Sequence, residues 1–211
     1  MLTLVKIAGW ILAVLPRQFA QLLSFIIGDC IYFLPTDRRR TILSNFHHTF
    51  PDKPVPWQRH KARHSCRRLV EMALFKLALP YFPEGRLDKT LIATKEATEL
   101  LTKYLNPAKP LIGVTIHNSM MEACTLIPRS LHLDLPEIGV VYSPINQKKL
   151  NGYFAENRSK YGITLFDRRS GLHEARSMIK NNKWMILIFD QSVGDSGYLT
   201  FFLNRAVTTT G

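Results

Sequence analysis

Residues 111–122, LIGVTIHNSMME, decide how this chain is read. The run from Leu111 to Ile116 is apolar, rich in β-branched residues and introduced by Pro110, which predicts a buried strand. His117 stands at the exit of that strand, Asn118-Ser119 suit a turn, and Met120 to Leu126 suit a helix that Pro128 stops. Glu122 then falls in the first helical turn. On one continuous helix His117 and Glu122 would stand roughly 140° apart, at about 100° per residue, so they meet only if the chain turns between them. A neutral imidazole is suited to taking a hydroxyl proton near neutral pH. A carboxylate on its other nitrogen would fix the tautomer and stabilise the imidazolium. The same letters also allow a capping box, Ser119-x-x-Glu122, in which Glu122 only closes a helix N-terminus.

Downstream, strand-like runs recur at Ile138 to Tyr142, Gly162 to Phe166 and Trp184 to Phe189, with helical patterns at Gln147 to Tyr161 and Leu172 to Asn181. This alternation predicts an α/β fold, a mostly parallel sheet flanked by helices. Reactive groups in such sheets gather beyond the carboxyl ends of the strands, where both His117 and Asp190 fall. A turn-forming aspartate is the other reading of Asp190. Arg158 lies near the end of the helix before the third strand, where a cation also complements the helix C-terminus. Arg168-Arg169, followed by Ser170-Gly171, combine guanidinium groups with free backbone amides at a helix start, a phosphate-binding arrangement. Neither a P-loop nor G-x-G-x-x-G is present, so nucleotide hydrolysis and dinucleotide binding have no support. Phe201-Phe202-Leu203 either lines an acyl pocket or belongs to the core.

Upstream, Leu2 to Leu34 is mostly apolar but interrupted by Lys6, Pro16-Arg17 and Asp29. It reads as one imperfect membrane helix or as two helices lying in the membrane interface; a buried helical hairpin is the alternative. Arg38-Arg39-Arg40 follow at once, pointing to acidic headgroups and the cytoplasmic side. Further helices are expected at Arg38 to Phe50, Pro56 to Leu79 and Leu87 to Leu105. His60 and His64 stand one helical turn apart with no third ligand nearby, so no metal site is expected. Three regions result: an apolar membrane-associated segment over 1–35, a basic helical region over 36–106 packing on the core, and an α/β core over 107–211. Across the 211 residues, 46% hydrophobic and 21% charged content are globular values, and the formal charge of +12 asks for an anionic partner. The three cysteines fit no disulfide framework. Nucleic acid is not expected, because no recognised module appears and the arginines adjoin an apolar segment.

An ordered series of short motifs runs through the chain. The apolar N-terminus is followed by arginines and by Asn45-Phe46. Then come H-x-x-x-x-E at His117 and Glu122, V-Y-x-P at Val141 to Pro144, and R-x-x-x-G at Arg158 and Gly162. D-Q at Asp190-Gln191, F-F at Phe201-Phe202 and T-T-G at Thr209-Thr210-Gly211 complete it. In this order and spacing the chain resembles, over nearly its whole length, the lipid A biosynthesis acyltransferases, the lauroyl and myristoyl transferases of Gram-negative bacteria. The resemblance implies a glycerolipid-acyltransferase-like fold and an enzyme on the cytoplasmic face of the bacterial inner membrane. Such an enzyme moves a fatty acyl chain from acyl carrier protein to a hydroxyl of a lipid A precursor, an acylated glucosamine disaccharide. It makes His117 the general base and Glu122 its partner, and it adds Arg158 and Asp190 to the catalytic set.

Asn118, Ser119, Arg168, Arg169 and Gln191 are the candidate substrate contacts. The expected partners are the membrane phospholipid surface, acyl carrier protein and the lipid acceptor, with no cofactor beyond the donor thioester. Two features depart from the family. Asn118 to Met121 replace a common aromatic, glycine, asparagine and tryptophan, and Leu203 stands where F-F-G has its glycine. Family members usually continue past Gly211, so the chain is expected to be incomplete at its C-terminus. The same base-and-carboxylate logic would serve a glycerophospholipid or glycolipid acyltransferase using acyl-CoA. A non-catalytic membrane protein that binds anionic lipid is the reading from a different class.

Overall fold

The computed structural model describes residues 1–105, 109–117, 120–168, 170–188, 190, 197–203 and 205–209. The β-branched and aromatic runs form strands β1 (Leu111–Thr115), β2 (Ile138–Tyr142), β3 (Ile163–Asp167) and β4 (Trp184–Ile188). They make one parallel sheet in the order β1-β4-β2-β3. Register aligns Leu111 with Trp184, Trp184 with Ile138, and Ile138 with Ile163. At the carboxyl edge the last pairs are Thr115 with Ile188 and Tyr142 with Asp167.

Because side chains alternate along each strand, the two faces of this sheet carry different residues. On one face Ile138, Ile163 and Trp184 are buried together, with Leu111, Val140, Leu165 and Ile186 packed around them. On the other, Met185 meets Ala175 and Met178 of a helix at Leu172–Lys180, with Phe166 and Val141 alongside. Gly139 permits this: a Cβ there would come within 2.7 Å of Met178 Sδ and within 2.5 Å of Met185 Sδ.

In chain order the helices are α1 (Leu2–Val14), α2 (Arg17–Phe33), α3 (Asp37–Thr49), α4 (Val55–Ala78), α5 (Glu84–Leu87) and α6 (Lys95–Thr102). They continue as α7 (Ile127–Ser130), α8 (Lys148–Ser159) and α9 (Leu172–Lys180). The chain divides into two compact units, one holding Met1–Leu2 and Phe82–Asp190, the other Thr3–Tyr81 and Gln191–Gly211.

Three sequence expectations need correction. β1 is an edge strand, not a buried one: Ile112, Val114 and Ile116 are exposed, and only alternate residues pack on the sheet's covered face. The expected helix from Met120 is a 3-10 turn over Met121–Leu126, and Pro128 starts α7 instead of stopping a helix. Proline is tolerated there because the amides of a first helical turn lack intrahelical acceptors. The expected helix from Leu87 to Leu105 is present only as α6, whose first turn is capped by the Thr94 hydroxyl accepting from Ala97 N–H at 3.2 Å.

In the other unit, Pro16 splits the apolar N-terminus, since a proline lacks the amide and disfavours helix at the residue before it. Helix α2 packs along α4 at close quarters. Gly28 makes that approach possible: a Cβ there would lie 2.5 Å from Arg67 Cα. Asp29, one residue on, accepts from Arg63 Nε at 2.8 Å and Arg67 Nε at 2.7 Å. A hairpin of β5 (Tyr198–Phe202) and β6 (Arg205–Thr209) belongs to the same unit and was not foreseen. Phe201 is 81% exposed, so the expectation that Phe201-Phe202-Leu203 joins a core is overturned.

Two substitutions test this packing with opposite signs. Gly28→Ala must push α2 off the α4 backbone and should lower stability by about 1–3 kcal/mol. Leu203 has φ 49°, the left-handed region that favours glycine. Leu203→Gly should therefore raise stability, by up to about 1 kcal/mol once glycine's own entropy cost is set against the relieved strain. Thermal unfolding of the purified full chain reads both.

Candidate active site

The last backbone pair between β1 and β4 is Thr115 with Ile188. Continuing that parallel register by two residues sets His117 beside Asp190. There the carboxylate replaces the ladder. His117 N–H donates to Asp190 Oδ2 at 2.9 Å, and ring Nδ1 meets Asp190 Oδ1 at 2.7 Å. With a carboxylate as its partner Nδ1 carries the proton, which leaves Nε2 as the basic nitrogen. The aspartate side chain is 12% exposed and the imidazole 41%, so the carboxylate is sheltered and the ring reaches solvent. Burial works to raise the Asp190 carboxyl, but the ring and backbone hydrogen bonds from His117 outweigh it and hold it below the ordinary value.

The expected pairing of His117 with Glu122 is replaced by two separate pairs. Glu122, in the 3-10 turn, receives Arg158 Nε at 3.0 Å and a second guanidinium hydrogen bond from Nη2. Its side chain is only 9% exposed, and a fork of two hydrogen bonds is what makes such burial tolerable. Burial disfavours the charge on Arg158, but the hydrogen bonds and charge of Glu122 more than offset it and raise its pKa. Arg158 is therefore no mere complement to the end of α8. It reaches from that helix to the segment that follows His117.

Asn118, Ser119, Arg169 and Gln191 lie outside the described residues, and with them the Ser119 capping box. Arg168 is exposed just past β3, at the same carboxyl edge. Of the backbone amides in that turn three are taken: Arg168 N–H donates to Tyr142 O, and the amides of Ser170 and Gly171 both donate to Asp167 O. Asn151, which no sequence pattern singled out, donates from Nδ2 to the Tyr142 hydroxyl at 3.2 Å. Its Oδ1 accepts from Ile145 N–H at 3.1 Å. A signal for it exists, since Asn151 stands seven residues before Arg158 and so on the same helix face.

A family model described as bacterial lipid A biosynthesis acyltransferase matches residues 1–211, the whole chain. The chain belongs to that family. It is an acyltransferase of the lipid A biosynthesis type, from a bacterial family whose members are typically membrane-associated. No curated protein matches the chain. Among the described residues no single helix is long and apolar enough to cross a membrane, although α2 and α3 together pass that test as a pair bent by 88°.

The lowered Asp190 carboxyl makes the acyltransferase's stability depend on pH in a definite direction. The unfolded chain binds this proton more readily than the folded one. The pair therefore stabilises above the ordinary carboxylate range and loses that contribution as pH falls through the lowered value. With the ring 41% exposed, solvent screening keeps the contribution to about 1 kcal/mol. Asp190→Asn should lower the midpoint near neutral pH by roughly 2–4 °C, and the gap should close as the pH is taken through the acid range.

Proposed function

We propose that this acyltransferase moves a fatty acyl chain from an acyl carrier protein thioester to a hydroxyl of a lipid A precursor, with His117 as general base. The observation that carries this reading is the hydrogen-bonded pair of His117 Nδ1 and Asp190 at the carboxyl edge of the sheet. In the proposed reaction Nε2 takes the acceptor hydroxyl proton while that oxygen attacks the thioester carbonyl. The oxyanion then collapses, the C–S bond breaks, and the departing thiolate takes the proton from the imidazolium. Asp190 holds the tautomer and offsets the transient positive charge, the role the sequence assigned to Glu122. Arg158, oriented by Glu122, supplies positive charge for the oxyanion or for a phosphate of the acceptor or carrier. These steps need no metal and no cofactor beyond the donor.

Membrane association is part of the proposal. Leu4, Ile7, Ile11 and Val14 recur at helical spacing on α1 and are all exposed. Phe19, Leu22, Ile26 and Phe33 do the same on α2. Arg38, Arg39 and Arg40 open the next helix. Exposed apolar stripes beside an arginine cluster suit a helix pair lying in the interface of an anionic leaflet, at the cytoplasmic face of the inner membrane. The formal charge of +12 suits an acidic carrier as well as that surface.

In membranes supplied with acyl carrier thioester and lipid acceptor, His117→Ala should cut transfer by about 10²–10⁴-fold while membrane association persists. Undiminished turnover in that variant would remove the mechanism. Faster transfer from acyl-CoA than from the carrier thioester would replace the donor but leave the base.

A further inference from the structure

Tyr153 is the one fully buried residue of helix α8, with Leu150, Phe154 and Ala155 half-buried. Directional polar contacts add to this packing in fixing its rotation about its own axis. Two such contacts lie on one face. Near the start, Asn151 uses both ends of its amide, donating to the Tyr142 hydroxyl at 3.2 Å and accepting from Ile145 N–H at 3.1 Å. Near the end, Arg158 grips Glu122. Seven residues bring a helix back to within about 20° of the same direction, so turning α8 to break one contact also swings the other.

The Asn151 end is tied to the sheet at a well-defined point. Tyr142 closes β2 at the carboxyl edge of the sheet, and its carbonyl accepts from Arg168 N–H at 2.9 Å, so its backbone is held by β3 as well. By register Tyr142 is two strands from β1, roughly 10 Å at the usual strand spacing. The second residue of the V-Y-x-P motif thus offers a hydroxyl that meets the helix carrying the arginine.

We infer that Asn151, acting with the Tyr142 hydroxyl, is a positioning residue: it sets the rotation of α8 and so holds Arg158 on Glu122 at the carboxyl edge. This rests on Arg158 serving the reaction as proposed above. Loss of the strut leaves the guanidinium present but displaced, and a displacement of about 1 Å is enough to cost on the order of 10²-fold in rate.

The experiment is a set of variants of the full chain, assayed in membranes with carrier thioester and lipid acceptor. Asn151→Ala should lower kcat/KM by about 10–100-fold. In an Arg158→Ala background the same substitution should add little, whereas a residue acting only on general stability would lower both backgrounds by the same factor. Asn151→Asp keeps an acceptor for Ile145 N–H and lets the Tyr142 hydroxyl donate instead of accept, so it should retain most activity. That rescue should vanish with Tyr142→Phe. Full activity in Arg158→Ala would sink the catalytic reading and this inference with it. Loss there with full activity in Asn151→Ala, or losses that simply multiply, would sink the inference alone.

Discussion

The register of β1 against β4 is the constraint on which the site depends. Parallel pairing of Thr115 with Ile188 leaves no choice about which residues emerge side by side two positions later. His117 and Asp190 come from segments far apart in sequence, yet each needs only to continue its strand to meet the other. The carboxylate then does what the next ladder partner would have done for the His117 amide, and with its second oxygen it engages the ring. A slip of one residue would send both side chains to opposite faces of the sheet and leave the amide and the imidazole without this acceptor.

Separating the two carboxylates gives each a distinct task. Asp190 faces a ring that gains and loses a proton in the proposed reaction, so its charge matters most when the imidazolium forms. Glu122 faces a guanidinium that never deprotonates, so its charge serves permanence and fixes where Arg158 stands. Had Glu122 taken the histidine, the arginine would have been a long side chain ordered by nothing stronger than solvent. The 3-10 turn after β1, tighter than an α-helix, brings Glu122 to Arg158 of α8 and not back to the strand exit.

Much of the fold is legible in the sequence because it follows from local chemistry. The apolar β-branched runs at Leu111, Ile138 and Trp184 each form a strand, and the alternation with helices imposes a parallel sheet. His117 and Asp190 were legible as strand-exit residues, and Arg158 as a helix-end cation. What was not legible is pairwise. Sequence proximity favoured Glu122 over Asp190 as the partner of His117, and nothing in a single chain states that β4, not β2, lies beside β1. The same gap made β1 look buried: its composition suits a central strand, but its place at the edge is set by topology. The amides of Ser170 and Gly171, just before α9, looked free because the carbonyl that takes both, Asp167 O, is fixed only when the strand-to-helix turn closes.

In the N-terminal helices one polar residue fixes how an apolar stretch packs. Helix α2 has 17 residues, about 25 Å at the α-helical rise, and so falls short of a hydrocarbon core of roughly 30 Å. Asp29 sits within it, and hydrogen bonds from two guanidinium groups, Arg63 and Arg67, hold its carboxyl well below the usual carboxylate range. Those arginines lie in turn over aromatic rings of the same helix, Arg67 at 4.7 Å from Phe25 and Arg63 at 5.3 Å from Phe33. A spanning helix would have to carry this three-residue charged cluster into hydrocarbon, whereas a helix lying in the interface keeps it at headgroup level while its exposed apolar stripe enters the acyl region. The clamp thus uses the one acidic side chain of α2 to hold that helix against α4, and it leaves the helix's exposed apolar residues on the remaining surface.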